Sequence, residues 1–307
     1  MRRQIYADGS YVQHSMNYER VMLQVCALAL RLCELSGRPL PRDLYERLGR
    51  SAEFLHQVMD PQTGRLPNYG NNDSALVLPL SECEFADFRP AVQAAHALVH
   101  RRRLYAPGPW DEEALWLLGA ESLDGAPREV PRCSTAFDAG GYYTLRQRES
   151  WAMIRCHTYR DRPAHCDPLH VDLWWRGCNV LADGGTGLYY APEAPAVERY
   201  FKSIAAHNTV EIDGRDPLEL VSRFLWIPWP RARVLRFEPG GAPSRFEGEH
   251  LAYDRAPWHV RHRRTLMALG DDRWLVIDDL LGGGTHALTL RWRMEDAPLA
   301  AIPHGAG

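Results

Sequence analysis

The segment that decides the fold is RPAHCDPLHVDLWWRGCNVLADGGTGLYY at 162–190, followed by RYFKSIAAHNTVEIDGRD at 199–216. The apolar, β-branched run from Leu169 to Trp175 predicts a strand. Gly177 then predicts a turn, and Cys178 to Ala182 predict the returning strand. The segment therefore predicts a β-hairpin with polar residues at its open end.

Polar side chains at these predicted strand ends are potential metal ligands, namely His165, Asp183 and His207. His165 precedes the first strand and Asp183 ends the second, while His207 is expected to begin a third. Two imidazoles and a carboxylate suit a zinc ion, with a fourth position left for water or a protein group. In a chain with 13 histidines, the same residues also fit hydrogen-bonded loop anchors. Cys166 adjoins His165, so its thiolate is a conceivable further ligand. Strand alternation, however, would direct its side chain to the other face.

Composition limits the class of protein. A chain of 307 residues with 45% apolar residues can bury a large core and is expected to form two domains. The net charge of −3 gives no signature of binding to polyanions, and no nucleic-acid partner is expected. Nearly all basic residues are arginine, with Lys202 the only lysine. Seven cysteines without a CxxC pair indicate no disulfide framework. No apolar run is long enough to span a membrane, no signal peptide is visible, and nothing indicates the oligomeric state.

The N-terminal part has helical periodicity. Helices are predicted at about 16–35, 42–59, 88–104 and 111–119, with Ser15 as the N-cap of the first. His14, just before this cap, could be a partner of Tyr18, but a loop histidine that faces solvent is the preferred prediction. The apolar face expected to be buried on the first helix comprises Val21, Val25, Leu28, Leu32 and Leu35. Paired antiparallel helices with polar loops at one end fit part of an (α/α) toroid over residues 1–121.

The period changes to that of strands after a Gly- and Pro-rich linker at 122–134. Strands are predicted at 141–146, 151–156, 169–175, 178–182, 232–237, 259–269, 274–278 and 286–294. So many strands separated by turn signals predict an antiparallel β-sandwich over residues 135–307. The predicted fold class is α+β and multidomain, a partial toroid followed by a sandwich.

Several motifs keep a characteristic order and spacing. They are His165-Cys-Asp, Gly177, Asp183-Gly-Gly-Thr, a tyrosine-containing loop, and AAHNTVEIDGRD ending at Asp216. This order closely resembles the C-terminal domain of the heparinase II/III-like polysaccharide lyases. The resemblance implies that His165, Asp183 and His207 bind a largely structural Zn²⁺ in the β-sandwich. It also implies an acidic polysaccharide or oligosaccharide as partner and a periplasmic or cell-envelope location.

The resemblance also implies catalytic residues. A lyase removes the C5 proton of a uronic acid and protonates the departing C4 oxygen. Tyr18, in an SxxY context, would be the catalytic acid or base if its pKa is lowered, but it could equally be a packing residue.

Other residues of the chain could bind substrate. Tyr189 or Tyr190 would reach the active site, and Arg162 would grip a sugar carboxylate or form a surface ion pair. Asn72, with its neighbours Asn71 and Asp73, would bind sugar hydroxyls or, more commonly, form a turn.

The chain departs from the family pattern at several positions. The family commonly has a catalytic histidine where this chain has Pro163, and a tyrosine where it has Gly187. The group that neutralises the sugar carboxylate belongs to earlier toroid helices, and the chain is expected to be a fragment or a shortened member. Two hypotheses follow: a polysaccharide lyase, and a catalytically impaired glycan-binding or exopolysaccharide-assembly protein with the same fold. A glycoside hydrolase would need a pair of carboxylates across the cleft, and no convincing pair is evident.

Overall fold

The computed structural model describes residues 1–128 and 130–296. The predicted helices are present with small differences at their ends, and α3 ends at His100 rather than near Leu104. The α-helices are α1 (Met16–Leu35), α2 (Arg42–Gln57), α3 (Arg89–His100), α4 (Glu112–Leu118) and α5 (Pro195–Lys202). None of the described helices has the length and apolarity needed to cross a bilayer. Residues 297–307 of the predicted sandwich lie outside the described residues.

Helix α1 begins at the predicted cap, but it buries a different face from the one predicted. The Ser15 hydroxyl accepts a hydrogen bond from the Tyr18 backbone N–H at 3.1 Å, as an N-cap does. Two residues of the predicted apolar face, Leu32 and Leu35, are 55% and 66% exposed. The buried face instead combines small and apolar residues with polar ones, listed here: Met16, Glu19, Arg20, Leu23, Gln24, Ala27 and Leu30.

The polar residues on the buried face of α1 have partners that offset the cost of burying them. Glu19 accepts a hydrogen bond from the Ser51 hydroxyl of α2 at 2.8 Å. The Gln24 amide donates to Glu113 of α4 at 2.9 Å. Periodicity of apolar residues alone therefore selected the wrong side of this helix, because the buried side is held by side-chain hydrogen bonds.

Two antiparallel sheets follow the helices. The strands are β1 (Ala136–Phe137), β2 (Tyr142–Arg146), β3 (Ser150–Arg155), β4 (Val171–Trp175), β5 (Cys178–Leu181), β6 (Val210–Ile212), β7 (Glu219–Ser222), β8 (Leu225–Ile227), β9 (Ala232–Glu238), β10 (Ser244–His250), β11 (Val260–Ala268), β12 (Trp274–Gly282) and β13 (Leu288–Leu290). The first sheet has the order β1-β2-β3-β4-β5 and the second the order β12-β11-β10-β9. Two short pairs, β13-β6 and β7-β8, complete the described strands.

The first sheet is buried on both faces. Along β3, Trp151 and Met153 belong to the core that the sheet shares with the helices. Ala152 and Ile154 alternate with them and pack in the core that contains Phe246 of the second sheet. The molecule is thus three-layered, with helices, a first sheet and a second sheet. This arrangement confirms the predicted fold class of partial toroid and antiparallel β-sandwich.

Candidate functional site

The predicted metal ligands lie together in the structure. His165, Asp183 and His207 each offer one ligand atom, and these atoms all lie within 4.8 Å of one another. Nδ1 of His207 is 2.9 Å from Oδ2 of Asp183. The His165 and His207 rings are stacked with their centres 5.3 Å apart. All three side chains are buried.

The β4–β5 hairpin positions Asp183. Its two turn residues, Arg176 and Gly177, have φ of 50° and 79°, which is the conformation of a tight two-residue hairpin turn. Beyond β5, the Asp183 backbone N–H donates to Oδ2 of Asp172 at 3.1 Å. Asp172 in turn accepts a hydrogen bond from the Trp174 indole at 2.8 Å. The hairpin was predicted from sequence, but the supporting role of Asp172 was not.

His207 and its neighbour are held by other contacts. His207 follows a short 3₁₀ turn. The strand that was expected to begin at His207 is β6, which starts at Val210. The Asn208 amide donates to the backbone carbonyls of Val171 and Ala182, at 2.9 and 3.1 Å. Asn208 thereby ties the His207 turn to both strands of the hairpin. The only sequence signal for this role was an asparagine within the AAHNTV motif.

The second sheet also reaches this site through Arg264. This fully buried guanidinium pairs with Asp278 and donates to the carbonyl oxygens of Leu169 and Asn208, at 2.8 and 2.6 Å. Sequence reasoning did not identify Arg264, which is one of many arginines in the predicted strands. It connects the chain near His165 and the chain next to His207 to the second sheet.

The donor atoms of this group suit a divalent metal ion. Both ring nitrogens of His165 and Nε2 of His207 are buried without a hydrogen-bond partner among the described residues. Burial lowers the pKa of His165 to about 4. Burial acts to raise the pKa of Asp183, but His207 and His170 outweigh it and lower that pKa. Burial acts to lower the pKa of His207, but Asp183 outweighs it and raises that pKa. Neutral imidazole and ionised carboxylate are the ligand forms, so binding of a metal would release a proton from His207. Leaving the buried nitrogens unpaired would be costly.

Two neighbours complete the description of this centre. His170, which sequence reasoning missed, has Nε2 3.4 Å from Oδ2 of Asp183, while its Nδ1 accepts the Asn208 backbone N–H. Its signal was the second His-x-Asp pair of the segment, His170 and Asp172. Cys166 packs in a separate apolar cluster with Ile204 and is not among the grouped ligand atoms.

Tyr18 lies at a second convergence of loops. Its hydroxyl lies 2.7 Å from Oδ2 of Asp73 and 3.0 Å from the hydroxyl of Tyr189. Burial and the hydrogen bonds to Tyr189 and Asp73 raise the pKa of Tyr18. This is opposite to the lowered pKa that catalysis by a tyrosinate would require. The environment therefore keeps the hydroxyl protonated and able to donate.

Thr186 fastens the loop that carries Asp73 to the loop that follows Asp183. The Asn72 backbone N–H donates to the Thr186 hydroxyl at 2.7 Å, and that hydroxyl donates to the Gly70 carbonyl at 3.1 Å. The Asn72 side chain donates to Asn68 and accepts from the Ser74 backbone, at 3.3 and 2.8 Å. Asn72 is thus a turn-forming residue here, although it also lines the adjacent cleft.

The other predicted substrate-binding residues surround Tyr189. Tyr190 is 66% exposed, and the Arg223 guanidinium lies 4.4 Å from its ring centre. Arg162 donates from Nη1 to the Phe224 carbonyl at 3.2 Å. The structure therefore brings Arg162, Tyr189 and Tyr190 to one side of Tyr18.

A cleft of about 470 Å³ runs between the helices and the first sheet on the other side. Its polar lining includes Asn68, Asn72, Asn179 and Asp183, and Oδ1 of Asn179 has no hydrogen-bond partner among the described residues. Trp174 contributes an aromatic wall. Polar groups on an aromatic-walled cleft are typical of ligand-binding sites.

His14 is buried rather than exposed to solvent, contrary to the prediction. Its ring centre lies 4.8 Å from that of His157 and 4.9 Å from that of Tyr159. Both ring nitrogens of His14 lack partners among the described residues. The loop after β3 packs against this histidine, and the sequence around His14 carries no sign of that contact.

Comparison with known proteins agrees with this architecture. A solved heparinase III with methylated lysines matches 98% of this chain and 42% of its own, with a TM-score of 0.73 and 17% identity. A mutant of the heparan sulfate lyase HepC from Pedobacter heparinus matches 96% of this chain and 42% of its own, with a TM-score of 0.70 and 19% identity. The chain thus spans less than half the length of these proteins. No curated protein matches significantly.

The sequence match is specific to one part of the chain. Residues 129–300 match the family described as heparinase II/III-like, C-terminal. This range begins before β1 and includes His165, Asp183 and His207. Since it covers more than half of the chain, the protein belongs to the heparinase II/III-like family.

Proposed function

We propose that this protein is a polysaccharide lyase that cleaves a uronic-acid-containing polysaccharide by β-elimination. The observation that carries the proposal is the convergence of Tyr18, Asp73 and Tyr189 through two hydrogen bonds to one hydroxyl. These groups come from α1, from the loop before α3 and from the loop after β5. A protonated tyrosine placed between loops of both layers suits proton transfer to a bound sugar.

In the proposed reaction, the C5–H bond and the C4–O bond of the uronic acid break, and a C4=C5 double bond forms. The departing oxygen takes the proton of the Tyr18 hydroxyl. The raised pKa of Tyr18 keeps its hydroxyl protonated, so the proton that the departing oxygen needs is present. Pro163 stands where the family resemblance implies a catalytic histidine, so removal of the C5 proton requires another acceptor. The Asp73 carboxylate, which accepts the hydrogen bond of the Tyr18 hydroxyl, would take the C5 proton.

We further propose that His165, Asp183 and His207 hold a structural Zn²⁺. The proposal is supported by the ligand atoms, which lie within 4.8 Å of one another, and by ring nitrogens of both histidines that have no hydrogen-bond partner among the described residues. A bound Zn²⁺ would join the β4–β5 hairpin to the turn before β6. The Gly184–Thr186 loop, which is fastened to the Asp73 loop, starts directly after Asp183. The proposed metal would thereby fix the position of the loop next to Tyr18.

The alternative is a glycan-binding or exopolysaccharide-assembly protein without lyase activity. Pro163 and Gly187, in place of the residues that the family resemblance implies, favour it. Either function would place the protein with acidic glycans, in the periplasm or at the cell envelope.

One assay separates the two functions. The chain is incubated with uronic-acid polymers, including heparan sulfate, and far-ultraviolet absorbance follows the unsaturated product. A lyase gives rising absorbance, whereas a binding protein retains oligosaccharide without any rise. Binding without product for every polymer tested would contradict the lyase proposal and support the alternative.

A further inference from the structure

The hairpin of β7 and β8 places a guanidinium beside the tyrosine cluster. Its turn residue Arg223 has Cζ 5.0 Å from the ring centre of Tyr189 and 4.4 Å from that of Tyr190. The Tyr189 hydroxyl is in turn 3.0 Å from that of Tyr18. Arg223 is therefore one side chain removed from the proposed proton donor.

Positive charge at this hairpin exceeds negative charge. The ring of Phe224 is approached by Arg162 at 4.9 Å, Arg223 at 5.0 Å and Lys202 at 5.7 Å. Among the described residues, Glu198 is the one carboxylate within salt-bridge distance of these cations. It lies 2.7 Å from Lys202 and 3.4 Å from Arg223. Lys202 and Arg223 therefore share one carboxylate, and Arg162 has none within salt-bridge distance among the described residues. The three cations are only partly compensated.

Arg223 has unused hydrogen-bonding capacity. Its Nη2 donates to the Tyr189 carbonyl and its buried Nε faces Glu198 at 3.4 Å, whereas Nη1 makes no hydrogen bond among the described residues. The side chain is 33% exposed, so a ligand can reach it. A guanidinium has five N–H donors in a planar fork that matches a carboxylate. Arg162, bonded only to the Phe224 carbonyl among the described residues, stands on the other side of the Arg223–Phe224 turn.

We propose that Arg223, supported by Arg162, binds the carboxylate of the acidic sugar ring that lies against Tyr18 and Tyr189. This inference rests on the proposed lyase function and names the residue that would recognise the uronic acid. Neutralising the carboxylate makes the C5 proton more acidic. The family resemblance assigns that task to earlier toroid helices, whereas Arg223 would perform it from the β-sandwich.

The test is a comparison of matched ligands. Calorimetry measures the Kd of a glucuronate–N-acetylglucosamine hexasaccharide and a mannuronate hexasaccharide, each beside its carboxyl-reduced counterpart. The measurements use the Tyr18→Phe background, so that the ligand is not consumed. We expect the better-bound acidic ligand to bind about tenfold or more tightly than its reduced form, as one charge-assisted contact implies. Arg223→Gln should remove this preference and leave affinity for the reduced ligand unchanged.

The matched control is Arg236→Gln, which removes an exposed arginine of β9 whose partner Glu238 is 3.8 Å away. It should keep the preference for the acidic ligand. The inference would be overturned if Arg223→Gln kept the preference for the acidic ligand, or if it lowered the affinity for both ligands equally. The inference would also be overturned if the parent protein bound neither acidic hexasaccharide, or bound each of them no more tightly than its carboxyl-reduced form.

The lyase proposal is judged separately, because its readout is unsaturated product from the chain with Tyr18 intact. If product forms and Arg223→Gln still prefers the acidic ligand, the role of Arg223 is contradicted and the lyase proposal is not. If Arg223→Gln loses the preference for the acidic ligand but no polymer gives product, the lyase reaction is contradicted and the role of Arg223 is not.

Discussion

The Tyr18 hydroxyl lies 3.0 Å from the Tyr189 hydroxyl, although 171 positions separate the two residues in the chain. One comes from the first turn of α1 and the other from the loop after β5. The contact crosses from the helical layer to the sandwich. A site that depends on this contact exists only when the helical layer and the sandwich are both folded and packed against each other.

Replacing Tyr18 by Phe should abolish product formation. The change removes the proton donor but keeps the ring, so we expect turnover to fall by about 10²-fold or more. Product absorbance measures the effect. Tyr143→Phe is the control, because the Tyr143 hydroxyl also donates to an aspartate, Asp138, at 2.7 Å but lies between the sheets. Equal losses in both variants would contradict a specific role for Tyr18.

The proposed zinc site predicts a difference between two histidine variants. His207→Ala should lose about one zinc per chain, because it removes one of three protein ligands. His286→Ala should retain the metal, although His286 also contacts an aspartate, Asp213, at 2.8 Å. Elemental analysis measures the metal content. A chelator should lower the Tm of the parent protein and of His286→Ala, but leave that of His207→Ala unchanged. Purified parent protein without zinc would contradict the proposal.

Stability should fall in mild acid because of buried neutral histidines. Burial lowers the pKa of His96 and of His157 to about 3 each, from an ordinary value near 6.5. Above pH 6.5 neither state binds the proton, whereas between about 6.5 and 3 only the unfolded state does. Each histidine should therefore cost about 1.4 kcal/mol of unfolding free energy per pH unit as pH falls through this window.

Two variants test the origin of this acid effect. His157→Asn should flatten the dependence of the unfolding free energy on pH between 6.5 and 4.5, measured by urea titration. His286→Asn should not flatten it, because the hydrogen bond to Asp213 raises the pKa of His286, and that contribution is present at low pH. An unchanged slope in His157→Asn would show that other groups cause the acid sensitivity.

Gly70 should be needed for the geometry around Tyr18. It has φ of 80°, and a Cβ there would lie 2.1 Å from the His14 carbonyl oxygen and 2.7 Å from Cα of Ser15. These are backbone atoms at the start of α1, so Gly70→Ala must move the Asp73 loop away from Tyr18. We expect strongly reduced product formation in a chain that still folds.

Gly37→Ala separates this clash from backbone strain. Gly37 has φ of 69°, but nothing lies within 4 Å of the added Cβ. It should lose about 1 kcal/mol of stability and keep its activity. Similar activity losses in the two variants would contradict a positioning role for the Gly70 contact.

Local sequence signals predicted the elements well where the signal itself decides the structure. Ser15 caps α1, and Arg176-Gly177 closes the β4–β5 hairpin, because both depend on neighbouring residues. The convergence of His165, Asp183 and His207 was expected from the order of motifs. Their supporting contacts from Asp172 and Asn208 depend on distant backbone groups, and the sequence had no pattern that displayed them.

Burial of polar residues accounts for the main errors. The buried side of α1 carries Glu19 and Gln24, whose partners lie on α2 and α4, so apolar periodicity indicated the opposite side. His14 packs against His157 and Tyr159 of the loop after β3, far along the chain. Asp73 forms the expected turn, because its Oδ1 accepts the Ala75 backbone N–H at 3.0 Å, but its additional hydrogen bond from the Tyr18 hydroxyl was not predicted. Each case depends on a contact between segments far apart in sequence.

The doubly covered first sheet limits how this protein can be re-engineered. Trp151 and Met153 complete the interior of the helical layer, while Ala152 and Ile154 complete that of the sandwich. A helical layer grafted from another lyase would meet a surface shaped for the present helices. Exchange of parts between such proteins therefore has to carry β2, β3 and β4 along with the helices, and modular recombination at the linker would leave mismatched interiors on one side.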